Sequence, residues 1–106
     1  MSMATNIVEY TVSPEHAETL HGRVQERLVP AARQTQGYRG FLLLDRGEGT
    51  RLAVVLYDSA AAARAAQQTL VPVGMEITAD LIQGPIQRTV GTVVISDGVF
   101  ATTTTR

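Results

Sequence analysis

Predicted strands of this chain carry apolar side chains on both faces, and this feature limits the possible folds more than any other. Successive side chains of a strand point to opposite faces of a sheet. In Gly40–Asp45 and Arg51–Tyr57, apolar residues fill both sets of alternating positions, and Val93, Val94 and Ile95 repeat the pattern. An antiparallel sheet with one face in water alternates apolar and polar residues instead. Both faces of this sheet therefore need to be covered.

The hydrophobic pattern predicts four strands in all. They are Asn6–Val12, Gly40–Asp45, Arg51–Tyr57 and Gln87–Ser96. Gly47 and Gly49, between the second and third of these, predict a hairpin turn because glycine accepts the backbone angles that tight turns require.

A first helix is predicted to begin at Ser13 and Pro14, since serine is a favoured N-cap residue and proline fits the first helical turn. Pro30 is expected to kink or end this helix, because proline lacks a backbone N–H. One apolar stripe follows the helix at spacings of three and four. It consists of Ala17, Leu20, Val24, Leu28 and Ala31.

A second helix is predicted after a cap at Asp58 and Ser59. Its first part is the alanine-rich run 60–66, which has high helix propensity. Pro72 and Gly74 are expected to interrupt it, and a short amphipathic piece follows them.

The order of elements, βαββαβ, predicts an α+β fold of ferredoxin-like type. Two split βαβ units with right-handed crossovers give a four-stranded antiparallel sheet with both helices on one face. The length of 106 residues suits a single domain over residues 1–106. Residues 1–5 and 101–106 carry no pattern and are expected to be flexible.

The sheet face away from the helices needs a partner of its own. A large exposed apolar patch is rare on a monomer. Pairing of two sheets face to face would bury the patch, so we expect a homodimer, with the two sheets forming a dimeric α/β barrel. The alternative is that long loops or the tail fold over this face, although the tail 101–106 is polar.

Charge and composition exclude several kinds of partner. The net charge is −1 and the nine basic residues are scattered, so no basic stripe forms for nucleic acid or an anionic membrane. The chain has no cysteine, which excludes disulfides and thiolate chemistry. No apolar run approaches the roughly 20 residues of a membrane span, and residues 1–6 lack a secretory pattern. We expect a cytoplasmic protein without nucleic-acid or membrane partners.

Two segments resemble a known family. Thr35–Leu44 resembles the segment that enters the second strand in the dimeric α/β-barrel superfamily, and Ala53–Ser59 resembles the third strand running into the next helix. Within that superfamily the chain is most similar to the antibiotic-biosynthesis monooxygenase-like domains. The resemblance implies a dimer whose two sheets form a barrel, and an apolar cavity between sheet and helices in each subunit.

The same resemblance also implies a type of reaction. The monooxygenase members bind a small aromatic or phenolic compound, deprotonate it and oxidise it to a quinone with molecular oxygen, without metal, flavin or other cofactor. The superfamily also contains haem-degrading enzymes, dismutases, isomerases and proteins without known chemistry. Haem degradation is the weaker alternative, because the chain has no histidine after His21 and no tryptophan.

His21 is the candidate catalytic residue. It lies beside the apolar stripe of the first helix, near the place where a cavity would open. A histidine can take up a phenolic proton near neutral pH, and the alternative is a boundary histidine bonded to backbone or water. His16 and His21 are five positions apart, which does not fit a metal pair at i, i+4, so no metal site is expected.

Five other residues are candidates for ligand binding. Tyr57 stands where many family members carry a tryptophan, so it either orients an aromatic ligand or anchors the junction between strand and helix. Asn6 resembles the first-strand asparagine of the haem-degrading branch, and the alternative is an ordinary polar residue near the N-terminus. Tyr10, Leu20 and Val24 are predicted to face the space beneath the helices, where a plain core role is the alternative.

Two functions of different classes stay open. The first is a cofactor-independent monooxygenase, with His21 as base or hydrogen-bond partner and Tyr57 positioning the substrate. The second is a non-catalytic homodimeric module that binds a small apolar ligand or only self-associates. Polar residues facing the predicted cavity are few, which favours the second function.

Overall fold

Four antiparallel strands form one sheet in the computed structural model, which describes residues 2–82 and 84–98. The strands are β1 (Ala4–Thr11), β2 (Tyr38–Asp45), β3 (Thr50–Tyr57) and β4 (Gln87–Thr92). Their spatial order is β2-β3-β1-β4, so the first strand lies inside the sheet and the last strand forms an edge. This order, with helical crossovers after β1 and β3, confirms the predicted ferredoxin-like α+β fold.

Helices connect the strands on one side of the sheet. They are α1 (Pro14–Arg23), a π-type turn (Val24–Leu28), α2 (Val29–Arg33) and α3 (Ala60–Thr78). Ser13 holds the predicted N-cap position of α1, but its side chain makes no capping bond. The Ser59 hydroxyl does cap α3, accepting a hydrogen bond from the Ala62 N–H at 3.1 Å. Within the described residues, no helix is long and apolar enough to cross a membrane.

Pro30 does not end the first helical region, which continues to Arg33. The Val29 N–H donates to the Val24 carbonyl, five residues back, in the π turn that precedes the proline. Pro30 itself has no N–H to donate. Because a π turn holds one residue more than an α turn, the following side chains are rotated by about 100°. Ala32 is therefore the fully buried residue of α2, in place of the predicted Ala31.

The predicted break at Pro72 and Gly74 is wrong, since α3 runs through both residues. Pro72 lies on the exposed side of the helix, where its ring meets water. Ile77, one turn beyond, is only 1% exposed and packs on Leu20 and Val24. Burial of this side chain favours continuation of the helix past the proline, at the cost of one backbone hydrogen bond.

The strand β1 begins at Ala4, two residues before the predicted start at Asn6. It therefore takes in residues that we expected to belong to a flexible end. Ala4 is fully buried and pairs with Tyr57 on one side and with Thr92 on the other. Alanine has low β-propensity, so the hydrophobic pattern did not indicate this start.

The strand β4 ends at Thr92, and the predicted extension to Ser96 is wrong. The Val93 N–H donates to the Met3 carbonyl at 2.8 Å, and β1, which begins at Ala4, has no residue left to pair with positions 93–96. Val94 and Ile95 are 90% and 86% exposed. Their apolar pattern therefore does not belong to the sheet, and β2 and β3 are the strands whose apolar residues fill both faces. The predicted flexible tail 101–106 lies outside the described residues.

The buried residues beneath the helices form two groups. We call the first the Tyr57 cluster; its buried members are Ala4, Ala32, Val55, Tyr57, Ala63 and Ala66. We call the second the Tyr10 cluster; its buried members are Tyr10, Val12, Leu20, Val24, Ile77 and Leu81. Phe41 of β2 packs against both clusters. The sheet face that these clusters occupy is the inner face.

The opposite, outer face of the sheet is apolar along its centre. Leu42, Val54 and Ile7 lie opposite one another on three neighbouring strands. Leu44 and Leu52 form the next row. Leu42 and Leu44 are 46% and 43% exposed, so the outer face keeps part of its apolar surface in water.

Candidate functional site

A cavity lies between the inner face of the sheet and the helices. The centre of a water-sized sphere can move through about 70 Å³ of this cavity. The empty space is about 760 Å³ when the solvent at the mouth is counted. The first volume exceeds what one water molecule needs. Aliphatic side chains form most of the wall, which suits an apolar ligand.

Four of the predicted site residues line this cavity. They are Asn6 and Tyr10 from β1, Leu20 from α1, and Val24 from the π turn. Alternation along β1 places Asn6 and Tyr10 on the inner face, and the helical spacing of three and four residues places Leu20 and Val24 over it. The role of these residues toward a ligand stays a prediction.

The main polar group in the wall is a pair of amides. Asn6 is 4% exposed, and its Nδ2 donates to the Ala63 carbonyl of α3 at 2.8 Å. The Gln67 Nε2, one turn further along α3, donates to the Asn6 Oδ1 at 3.2 Å. The pair ties β1 to α3 and leaves the Gln67 carbonyl oxygen and one N–H of each amide for other partners.

A second polar group in the wall is the Tyr10 hydroxyl. Its oxygen is buried, and no hydrogen-bond partner is found for it among the described residues. Burial raises the pKa of Tyr10, while the positive charge of Arg51 acts in the opposite direction. Arg51 lies directly opposite Tyr10 on β3. The hydroxyl is therefore protonated at neutral pH and free to bond.

His21 is held outside the cavity wall by Arg51. The Arg51 Nε donates to the His21 Nε2 at 3.3 Å, and the Arg51 Nη1 donates to the Asp45 carboxylate at 3.0 Å. Arg51 is 8% exposed, so this contact is well shielded from water. While His21 Nε2 accepts from the guanidinium it cannot take a proton, so a base at this position would first have to leave Arg51.

Tyr57 also lies outside the cavity wall. Its ring is fully buried in the Tyr57 cluster and meets the Tyr38 ring edge to face, with centroids 6.3 Å apart. Its hydroxyl is 2.7 Å from the Thr35 hydroxyl, and burial raises its pKa. The contacts agree with the anchoring alternative, in which Tyr57 holds the end of β3 against the loop before β2.

Sequence reasoning missed the contribution of α3 to the cavity. Gln67, Val71, Gly74 and Thr78 all line it, at the spacings that place residues on one face of a helix. This signal was available in the sequence, but a predicted break at Pro72 divides it in two. Arg88 of β4 was missed as well; it is exposed and borders the cavity at its solvent side.

Several solved structures share this fold. A proposed antibiotic biosynthesis monooxygenase from Nitrosomonas europaea is 17% identical, with a TM-score of 0.74 over 92% of this chain and 95% of that one. SnoaB, a cofactor-independent oxygenase from Streptomyces nogalater, is 16% identical, with a TM-score of 0.71 over 91% and 97%. A monooxygenase from Streptomyces coelicolor in complex with nanaomycin D is 13% identical, with a TM-score of 0.73 over 91% of each chain.

These similarities confirm the predicted resemblance at the level of the fold. The chain has the ferredoxin-like α+β fold. More narrowly, it has the fold of the antibiotic biosynthesis monooxygenase-like proteins over about 90% of its length. No protein-family model matches the sequence, and no curated protein sequence matches it. The reaction and the ligand therefore depend on what the site itself can do.

Proposed function

We propose that the chain is a monooxygenase-like protein that binds a small aromatic or phenolic compound in the cavity beneath the helices. The observation that supports this most is the composition of the wall, which is apolar apart from a few polar groups. Small-molecule sites combine apolar walls with a small number of polar groups that fix orientation. The amide pair of Asn6 and Gln67 is such a group.

The reaction that fits this ligand is oxidation by molecular oxygen without a cofactor. In an anthrone, loss of a proton gives a phenolate that transfers electrons to oxygen. One oxygen atom then forms the new carbonyl group, and the other leaves as water. The free amide N–H of Gln67 and the guanidinium of Arg88 would favour the phenolate, because a hydrogen-bond donor and a positive charge stabilise the ionised form.

The reaction class draws further support from the structural neighbours. One is a cofactor-independent oxygenase, and another is a monooxygenase with nanaomycin D bound. Their identities of 16% and 13% carry the fold to this chain, so the oxidation itself rests on the proposal.

A non-catalytic binding module is the second candidate, and one observation favours it. Among the described residues, the titratable side chains in the wall are Tyr10 and Arg88, neither of which is a base at neutral pH. His21, the candidate base from the sequence, is not among the wall residues and accepts a hydrogen bond from Arg51. Binding of a ligand without turnover would support the non-catalytic module.

We also propose that a second copy of the chain covers the outer face. The exposed leucines Leu42 and Leu44 support this arrangement, since pairing of two outer faces would remove them from water. Light scattering should give twice the mass of one chain, and Leu42→Glu should give monomers. Val94→Glu is the matched control, because Val94 is exposed beyond the end of β4. A wild-type monomer at micromolar concentration would contradict the pairing.

Oxygen consumption with anthrone tests the proposed reaction. We expect the wild type to exceed the uncatalysed rate, and Gln67→Leu to reduce the excess about tenfold through loss of one hydrogen bond. Gln68→Leu is the matched control, because Gln68 is exposed on the other side of α3. His21→Ala, compared with His16→Ala, shows whether His21 takes part.

The outcomes separate the two candidates. Calorimetry under nitrogen measures binding of anthrone without turnover. Binding with no oxygen consumption favours the non-catalytic module, and the absence of both contradicts the proposed ligand class. A haem titration without a shift of the Soret band would exclude the haem-degrading alternative.

A further inference from the structure

We propose that the Tyr10 hydroxyl donates a hydrogen bond to an oxygen atom of the bound ligand, and so selects ligands with oxygen functions at two separate places. This inference rests on the proposed function, because it assigns a second point of recognition within the same cavity. It adds a specificity-determining residue to the amide pair already described.

The first support is the unmet bonding capacity of this hydroxyl. Tyr10 is 6% exposed, and its hydroxyl is the one buried side-chain polar atom without a partner among the described residues. Buried polar groups nearly always have a partner, because leaving one unpaired costs free energy. Tyr10 also lines the cavity. A ligand in the cavity is therefore placed to supply the missing bond.

The second support is the occupation of the neighbouring polar groups. Arg51 lies opposite Tyr10, but its Nε is bonded to His21 and its Nη1 to Asp45. The other members of the Tyr10 cluster are aliphatic. The other buried members of its cluster are thus apolar, and two Arg51 nitrogens, Nε and Nη1, already donate to other partners.

The charge of Arg51 decides which role the hydroxyl takes. A guanidinium has no acceptor, and a positive charge nearby strengthens an O–H donor. Burial keeps the hydroxyl protonated, because it raises the pKa of Tyr10. The matching ligand atom is an oxygen that accepts: a carbonyl oxygen, a phenolate or the oxygen of a phenol.

The position of Tyr10 along β1 sets the second requirement. Tyr10 and Asn6 are four residues apart on the same face of one strand, which separates their Cα atoms by about 13 Å. The cavity touches both residues. A ligand that meets both polar groups must carry oxygens well apart on its ring system, as fused-ring hydroxy ketones do.

Calorimetric titration with two probes tests the inference. 1-Tetralone carries one oxygen, and 6-hydroxy-1-tetralone carries a second at the far side of the ring system. We expect the wild type to bind the two-oxygen probe about tenfold more tightly, and Tyr10→Phe to lose this preference while its affinity for 1-tetralone changes less than twofold.

Tyr57→Phe is the matched control, since it removes a buried hydroxyl that already has a partner in Thr35. It should keep the probe preference and lower Tm by about 5 °C. Tyr10→Phe should keep or raise the Tm of the free protein, because it removes an unpaired polar group. A lower Tm for Tyr10→Phe would show an internal partner and overturn the inference.

The remaining outcomes are also decisive. Equal preference for the two-oxygen probe in the wild type and Tyr10→Phe overturns the inference while leaving the proposed function in place. No binding of either probe to the wild type contradicts the proposed function and the inference together.

Discussion

The two clusters beneath the helices each contain a buried tyrosine, and they differ in whether its hydroxyl has a hydrogen-bond partner. In the Tyr57 cluster the hydroxyl bonds to Thr35 and small alanines pack closely around the ring. In the Tyr10 cluster the hydroxyl has no partner among the described residues, and larger aliphatic side chains leave a cavity beside it. In the first cluster the chain's own atoms pair the tyrosine hydroxyl, whereas in the second the hydroxyl keeps bonding capacity beside the cavity.

This difference separates stability from binding within one small core. Native interiors are closely packed, and their polar groups are paired. The Tyr57 hydroxyl follows the second rule, whereas the Tyr10 hydroxyl departs from it beside the cavity. Departures of this kind are typical of functional sites, where local stability is given up for recognition.

Leu20→Ala should give the largest effect, because it enlarges the space in the Tyr10 cluster. Leu20 is fully buried, and its truncation should lower the free energy of unfolding by about 3 kcal/mol. Urea denaturation measures the change. Val94→Ala, beyond the end of β4, is the control, with an expected loss below about 0.5 kcal/mol since Val94 is 90% exposed. A loss at Leu20 as small as this would mean that the cavity collapses.

Gly37→Ala tests how closely the other cluster is packed. Gly37 has φ +83°, and an added Cβ would lie 2.8 Å from the Ala62 Cβ and 2.6 Å from the Asp58 Oδ1. We expect a loss of about 2 kcal/mol in chemical denaturation, from backbone strain and this overlap. Gly47→Ala, with a similar φ and open space, should lose only about 1 kcal/mol. Equal losses would show room beside Gly37.

Gly74→Ala should instead stabilise the protein by about 0.5–1 kcal/mol, since alanine favours a helix interior and the space around this Cβ is open. Gly22→Ala should give a similar gain, because its Cβ also meets nothing. Gly74 borders the cavity and Gly22 does not. Only Gly74→Ala should therefore weaken binding of 6-hydroxy-1-tetralone, and an equal effect of both variants would place the ligand elsewhere.

Acid should give the smallest effect, through the pair that holds α1 against the end of α3. The hydrogen bond from Arg23 lowers the pKa of Asp80, so the pair contributes stability above the unfolded pKa near 3.8. This contribution is lost as the pH falls through the folded value. The Tm difference between wild type and Asp80→Asn should be present at pH 7 and absent in strong acid. It should also shrink with added salt, because Asp80 is exposed and Arg23 is partly exposed.

The sequence pattern was sufficient for the fold and for part of the cavity. Apolar residues on both faces of β2 and β3 indicated a covered sheet, and alternation along β1 placed Asn6 and Tyr10 inside. The pattern could not predict side-chain contacts between segments that are distant in the sequence. The bond from Arg51 to His21 and the bond between Tyr57 and Thr35 depend on how loops approach one another in three dimensions. For the same reason, helical spacing alone did not show whether His21 would face the cavity.

The π turn at Val24–Leu28 sets the rotation of α2 relative to α1, and so decides which side chains enter each cluster. Residues before it supply Leu20 to one cluster, and residues after it supply Ala32 to the other. Deleting one residue here would restore a regular helix but turn α2 by about 100° and take Ala32 out of its contacts. The number of residues in Val24–Leu28 therefore matters for the Tyr57 cluster, because it determines where Ala32 lies. A single-residue deletion should be tolerated far better in the polar hairpin 46–49 than in this turn.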